Sequence, residues 1–391
     1  MNNKSLLNEA GVLFRKHFGR PHTVAAFAPG RIEVLGNHTD YNEGFVLSAA
    51  INYGMYFLAA PSASADCRLV AGDLMEEVTF NVSSPAAVSH VRWSGYVIGM
   101  VAGLRDLQAL PHGFEGLFMG NVPQGAGLSS SAALEMAAGL TLSRLYAIDV
   151  PPLTMAQIGQ TAEHKFVGVR CGLLDQISSL FGQNERLVMT DFRSLEVNRV
   201  PLGSNACFLA CNTNVKRALV EGEYNDRRRC CEEAARHFAR ILTHEVRALR
   251  DVSWEEWKTH SSEMDPIIAR RAAHIIGENR RVLDGRRLLD QGRLEEFGQL
   301  MFESHKSSRI YFENSCAELD FIVDTAARLP GVLGARLSGG GFGGTVVIML
   351  HPRDVETASQ ALRSAYQQEF RRTCDIRVIH TSDGARLIPA G

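Results

Sequence analysis

The sequence lacks a surplus of either charge. Its 41 Lys and Arg stand against 43 Asp and Glu, for a formal net charge of −2. A chain so balanced has no bulk positive field with which to hold nucleic acid. Its densest basic run, Arg227-Arg228-Arg229, is ringed by Glu221, Glu223, Asp226, Glu232 and Glu233, and reads as a solvated helix face. Paired cysteine spacing is also missing: there are eight cysteines and no C-x-x-C. Cys207 and Cys211 sit in an apolar CFLAC run that reads as a buried strand, and no His cluster accompanies them. Core thiols in a reducing compartment are the reading that remains. No long uninterrupted apolar run occurs: the most apolar stretch, residues 45–61, carries Ser48, Asn52 and Gly54 and is too short to span a bilayer. Near the start, Leu6, Leu7, Ala10, Leu13, Phe14 and Phe18 recur at helical spacing between Asn8, Glu9, Arg15 and Lys16. That pattern predicts an amphipathic helix on a core rather than a secretory segment. No membrane partner and a cytoplasmic location are the resulting expectations. Oligomeric state is open, with a monomer as the default.

What is present is 391 residues of alternating apolar runs and glycine-rich turns, enough for two domains. Residues 24–27, 45–50, 54–60, 117–119 and 187–191 read as strands. Helices are expected over 93–107, 131–145, 153–166 and after Gly172. The second half opens on the strand 207–211 and a long charged helical region striped by Ala234, Phe238, Ile241, Leu242, Val246 and Leu249. Helices at 294–308, 319–329 and 355–370 follow, with a β-branched strand at 345–350. No internal repeat or low-complexity linker marks a boundary; Pro201 and Gly203 suggest one near residues 195–202. Helices and strands in both halves argue for α+β layers.

The most informative segment is GNVPQGAGLSSSAA, residues 120–133. Gly125 and Gly127 allow tight turning, and Ser129, Ser130 and Ser131 open a helix whose N–H groups and dipole form an anion site. A serine hydroxyl there can also meet a magnesium ion shared with phosphates. Alone, the pattern is equally that of a serine-capped helix start. No Gly-Lys-Ser or Gly-Lys-Thr follows the loop, and the His-Arg-Asp and Asp-Phe-Gly pair of protein kinases is missing. A nucleotide site here therefore belongs to another class.

Two further segments, GRIEVLGNHTDYNEG at 30–44 and LSGGGFGG at 337–344, complete an ordered set of three. Together they resemble the motifs of the GHMP kinases, and the first resembles the galactokinase branch through its Gly-Arg and HTDYN elements. Shorter passages extend the resemblance along nearly the whole chain: AEH at 162–164, CGLLDQ at 171–176, DFRSL at 191–195, NTNV at 212–215, Glu223-Tyr224, Arg227–Arg229 and ESH at 303–305. The resemblance implies an α+β, GHMP kinase-like two-domain fold with the active site in the cleft. An N-terminal ribosomal-protein-S5-domain-2-like domain over 1–196 would be rejoined by about 382–391. A ferredoxin-like C-terminal domain would cover 197–381.

The same resemblance assigns roles. Asp175 matches the proposed catalytic aspartate and Arg31 the arginine beside it and the transferred phosphoryl group. Ser131 and Glu163 match magnesium ligands. Gly125, Gly127, Ser129 and Ser130 match the phosphate loop, and Trp93 and Tyr96 positions near the adenine base. Sugar recognition falls to Asn37, His38, Asp40, Gly172 and Tyr224; the carboxylate of Asp40 suits a vicinal diol. ATP and Mg2+ are the implied co-substrate and cofactor, and a sugar is the implied partner. Two positions depart from the pattern: galactokinases usually carry Glu at position 37 and Asn at position 33, the reverse of this chain. Loss of a carboxylate at 37 keeps three readings open: a 1-kinase for galactose, a 1-kinase for a C6-modified hexose or uronic acid, and a sensor that binds ATP and sugar without turnover. Intact Asp175 and Arg31 weigh against the last.

Overall fold

Glycine-punctuated apolar runs build the first half, and charged helices wrapped round a small sheet build the second. The computed structural model of the chain describes residues 3–86, 91–123, 125–169, 171–215 and 220–389. The elements begin with α1 (Asn3–Phe18), β1 (Val24–Leu35), β2 (Phe45–Pro61), β3 (Asp66–Ala71), β4 (Glu76–Asn81), α2 (Ser94–Leu107) and β5 (Phe114–Gly120). Next come α3 (Ser130–Leu145), α4 (Pro152–Ala162), α5 (Leu174–Phe181), β6 (Arg186–Asp191), β7 (Val197–Pro201) and β8 (Cys207–Asn212). The charged half holds α6 (Val220–Ile241), α7 (Trp254–His260), α8 (Pro266–Asp290), α9 (Leu294–Ser307) and α10 (Ala317–Ala326). Strands β9 (Val332–Ser338) and β10 (Thr345–Leu350), α11 (Val355–Phe370), β11 (Asp375–Ile379) and β12 (Arg386–Ile388) close the chain.

The larger sheet runs β12-β1-β2-β5-β3-β4, with β6 on the first half of β2 and β7 on β6. Its ladders are antiparallel except β3 with β5. The pairing of β12 with β1 brings the end of the chain back onto the first sheet. β7 also belongs there, so the sheets divide after residue 201 rather than at 197: the polar, half-exposed β7 is held by its ladder to β6 and not by apolar content. The smaller sheet is fully antiparallel in the order β11-β8-β10-β9. With α10 and α11 it makes the ferredoxin-like layer.

The smaller sheet is buried on both faces. Leu209, Cys211, Val346 and Ile348 pack with Leu319, Ile322, Leu362 and Tyr366 of α10 and α11. Their alternating neighbours Phe208, Ala210, Val347 and Met349 belong to the main core, with Phe297 and Met301 of α9 and residues of the first sheet. Period-two alternation thus sends one strand face to each core, which explains the uniformly apolar CFLAC and TVVIML runs. A core shared across the domain boundary holds the cleft between the two sheets in a defined shape.

Candidate active site

A cavity of about 460 Å³ lies in that cleft, lined by Arg31, Glu33, Asn37, His38, Asp40, Gly172, Asp175, Tyr224, Gly339 and Gly340, among others. At its floor, β1 presents Arg31 and the first turn of α5 presents Asp175. Arg31 Nε and Nη2 both lie 2.8 Å from Asp175 Oδ1, and Nη1 donates to Gly127 O at 2.6 Å. The Arg31 backbone N–H donates to Leu128 O at 3.0 Å. Gly30 allows this approach: a Cβ there would lie 2.3 Å from Leu128 O. The glycine- and serine-rich loop is therefore clipped to the same arginine that holds Asp175. The other carboxylate oxygen of Asp175 accepts from the Ser129 hydroxyl.

The wall is the turn between β1 and β2. Asp40 starts a short 3-10 turn and lines the cavity. Burial, then the charges of Glu33 and Asp175, push its carboxyl up to about 6. Gly172 faces it so closely that a Cβ would stand 2.3 Å from Asp40 Oδ2, so only glycine fits without moving the carboxylate. His38 sits at φ +61. Its Nε2 lies 3.1 Å from Gly340 O and its Nδ1 2.8 Å from Tyr41 Oη. Since a carbonyl only accepts, Nε2 carries the proton and Nδ1 accepts from Tyr41. Burial lowers its pKa to about 4, so the ring is neutral and both nitrogens are already committed. Tyr224 of α6 packs against it at a tilt, with ring centroids 5.1 Å apart.

Asn37 is also committed. Its Nδ2 donates to Glu33 Oε1 at 2.9 Å and to Gly339 O at 2.8 Å, and its Oδ1 accepts from Asn314 Nδ2 at 2.9 Å. Glu33 Oε1 also pairs with Arg336 Nη1 at 3.0 Å, and Arg336 is fully buried. The two positions where this chain departs from the galactokinase pattern are thus direct partners.

The residues expected to form a phosphate loop run along the N-terminus of α3. Gly125, Gly127 and Ser129 all have positive φ, at 69, 64 and 59 degrees, and Gln124 lies outside the described residues. Ser129 caps no helical N–H with its side chain, leaving the first turn of α3 open to an anion. Ser130 begins the helix. Ser131 Oγ lies 3.4 Å from Glu163 Oε1 in the π-helical turn after α4. Burial, then the charge of Asp175, pushes Glu163 up to about 7. Two oxygens from different helices, one a carboxylate under negative pressure, match the sparse protein donor set of a phosphate-bound Mg2+. Trp93 and Tyr96 stand at the start of α2. The Trp93 indole donates to Glu76 Oε2 at 2.5 Å and packs edge-on against Phe118. The Tyr96 phenol is pushed up to about 12 by burial, then by Glu163. The structure thus sets Tyr96 toward the Ser131–Glu163 end and ties Trp93 to β4.

Four contributors carry no such signal in the sequence. Glu278 of α8 is fully buried and accepts the backbone N–H groups of Gly36 and Asn37, both at 3.0 Å. Asn314 and Arg336 hold Asn37 and Glu33 from the C-terminal side. Arg227, part of the run read as a solvated face, is also structural: it donates to Phe312 O at 2.7 Å and Glu313 O at 2.8 Å. An H-x-x-x-E-x-x-R pattern at His274, Glu278 and Arg281 was a visible signal of charges stacked on one helix face; nothing in it named the loop it holds.

Comparison with known proteins gives a consistent family. Residues 13–61 match the galactokinase galactose-binding signature, 95–183 the GHMP kinases N terminal domain and 286–368 the GHMP kinases C terminal model. A galactokinase of Roseiflexus sp. (strain RS-1) is 38% identical over 372 residues, covering 95% of this chain and 94% of the relative. That of Pasteurella multocida (strain Pm70) is 39% identical over 381 residues, covering 96% and 97%. The crystal structure of Lactococcus lactis galactokinase complexed with galactose superposes with a TM-score of 0.90 at 32% identity, over 97% of this chain and 99% of that one. The Methanococcus jannaschii mevalonate kinase, at TM-score 0.65 and 16% identity over 93% and 99%, shares the fold.

Proposed function

The chain belongs to the galactokinase family of GHMP kinases, and from that premise we infer that it transfers the γ-phosphoryl group of ATP to the anomeric hydroxyl of galactose, giving galactose 1-phosphate and ADP. The observation that carries this reading is the Arg31–Asp175 pair at the cavity floor, fastened to the carbonyl of Gly127 in the phosphate loop. A proton acceptor and a cation held side by side suit a point at which an acceptor hydroxyl and a phosphoryl group would meet.

In the reaction, Asp175 orients the anomeric hydroxyl and takes its proton as the new P–O bond forms. Arg31 offsets the charge that develops on the transferred group. The open first turn of α3, with Ser130 and the Gly125–Gly127 turn, holds the phosphates. Ser131 and Glu163 would hold Mg2+, which would supply charge neutralisation to the phosphates when bound. The carboxylate of Asp40 accepts sugar hydroxyls, Gly172 leaves room for it, and Tyr224 closes the far wall. His38 and Asn37 shape that wall through their bonds to Gly339 and Gly340. Trp93 and Tyr96 flank the base. Cysteines are free throughout the described residues, with Cys171 alone not buried; a cytoplasmic enzyme fits that content.

Screening ATP consumption over hexoses, pentoses and uronic acids tests the assignment. Galactose is expected to be the preferred acceptor; no turnover on any sugar would leave only the sensor. Asp40 adds a pH dependence. Its carboxyl is raised to about 6 in the free enzyme, and only the ionised form accepts two hydroxyl hydrogens. At saturating Mg-ATP, kcat/KM for galactose should therefore be flat above that pH. Below it, kcat/KM should fall by about tenfold per unit. Asp40→Asn should lower kcat/KM and remove this acid limb; a limb that survives the substitution belongs to another group.

A further inference from the structure

The exchanged pair at positions 33 and 37 leaves one carboxylate oxygen unspent. Glu33 Oε1 is held twice, by Asn37 Nδ2 at 2.9 Å and Arg336 Nη1 at 3.0 Å, whereas Oε2 makes no hydrogen bond among the described residues. The side chain is 5% accessible, and Glu33 lines the cavity. By contrast, both Asn37 N–H bonds end on protein oxygens. Arg31 and Glu33 pair with Ala50 and Ser48 in unbroken register, so they share one face of β1. Their spacing along the strand is roughly 7 Å, about the length of a hexose. With Arg31 beside Asp175 at one end of that span, Glu33 stands at the other.

We propose that Glu33, not Asn37, is the specificity-determining residue at that end: its free oxygen accepts a hydroxyl remote from the anomeric carbon. The proposal rests on the galactose 1-kinase reading and refines it. Asn37 and Arg336 fix one oxygen so that the other faces the sugar. The carboxylate missing at position 37 is carried instead at position 33. A neutral hydroxyl donor is then favoured, and a uronic acid meets like charge. The C6-carboxylate substrates that Asn37 suggests in the sequence are therefore excluded.

The test couples residue to hydroxyl. Wild-type and Glu33→Gln enzymes are assayed with galactose, 4-deoxygalactose, 6-deoxygalactose and galacturonate. One of the two deoxy sugars should lose about 10- to 100-fold in kcat/KM with the wild type, as expected for a hydrogen bond to a charged group. With Glu33→Gln, galactose should fall by a similar factor, mainly through KM, and that deoxy sugar should fall no further. Galacturonate should be rejected by the wild type and gain relative to galactose in the variant. Equal deoxy-sugar penalties in both enzymes, with galacturonate discrimination unchanged, would overturn the proposal. If neutralising Glu33 beside Arg336 prevents folding, Glu33→Asp keeps the charge, withdraws the oxygen by one methylene and reads the same coupling. Failure of the wild type to phosphorylate galactose would instead sink the galactose 1-kinase reading, so the two failures are separable.

Discussion

Asp175→Asn is expected to lower kcat by about 10²–10⁴-fold while leaving galactose affinity within a few-fold of wild type. Asparagine keeps the shape of the side chain. Its oxygen still accepts from Arg31 Nε and Nη2, and its amide meets Ser129, whose hydroxyl can accept as well as donate. What vanishes is the capacity to take a proton and the negative charge beside the reacting hydroxyl. The sugar contacts proposed for Asp40 and Glu33 are untouched, so isothermal titration with galactose should still show binding. Steady-state kinetics then separates the roles. A variant with near-normal kcat would remove Asp175 from the chemistry, and one that loses binding and turnover together would make it a structural support for Arg31.

The three glycine-rich segments converge on one cleft, and that convergence was legible because each motif is contiguous in sequence. Thr345 Oγ1 on Ala126 O, at 2.6 Å, even joins the strand after the third segment to the phosphate loop. The local elements were equally legible where packing agrees with period: residues 355–370 form α11 as expected, since Ala358, Leu362 and Tyr366 make one buried stripe. β2 was misread as two strands because Asn52 and Gly54 look like a turn. Gly54 is there for close packing instead: a Cβ would lie 2.4 Å from Ala28 O and Phe27 Cζ. β3 and β4 went unseen because they carry the charged and polar Arg68, Glu76, Glu77 and Thr79, a pattern that resembles loop more than strand.

The site's electrostatics were the least legible part. Positions 33 and 37 read as separate anomalies because they lie four apart across the end of a strand, where side chains do not normally meet. Gly36, at φ +99, and the register shift after Glu33 fold residue 37 back over residue 33. The buried cation that answers Glu33 is 303 residues away. A swap whose meaning depends on such contacts has no one-dimensional signal.

Glu278→Ala is expected to cost about 3–5 kcal/mol of stability, the range for breaking a buried ion pair from one side. Glu278 is fully buried; its Oε1 accepts from Arg281 Nε at 2.6 Å and its Oε2 from the N–H groups of Gly36 and Asn37. Removing it strands a largely buried guanidinium and two backbone donors in the turn that carries Asp40. Urea unfolding should therefore show a lower midpoint, and the surviving folded enzyme should show a raised KM for galactose with a smaller change in kcat. Glu278→Gln should fall between the two, keeping acceptors for the N–H groups but losing the charge that faces Arg281 and Arg336. The sign of the pH effect follows from the same contacts. Although burial opposes it, the cations Arg281 and Arg336 and the Asn37 N–H hold this carboxyl far below its usual range. Its contribution is complete above the unfolded value of about 4.5 and is lost only as pH falls towards the depressed folded value. The stability gap between wild type and Glu278→Gln should accordingly be constant at neutral pH and narrow in acid. A gap that instead closed as pH rose would mean that the partner losing its charge is not this glutamate.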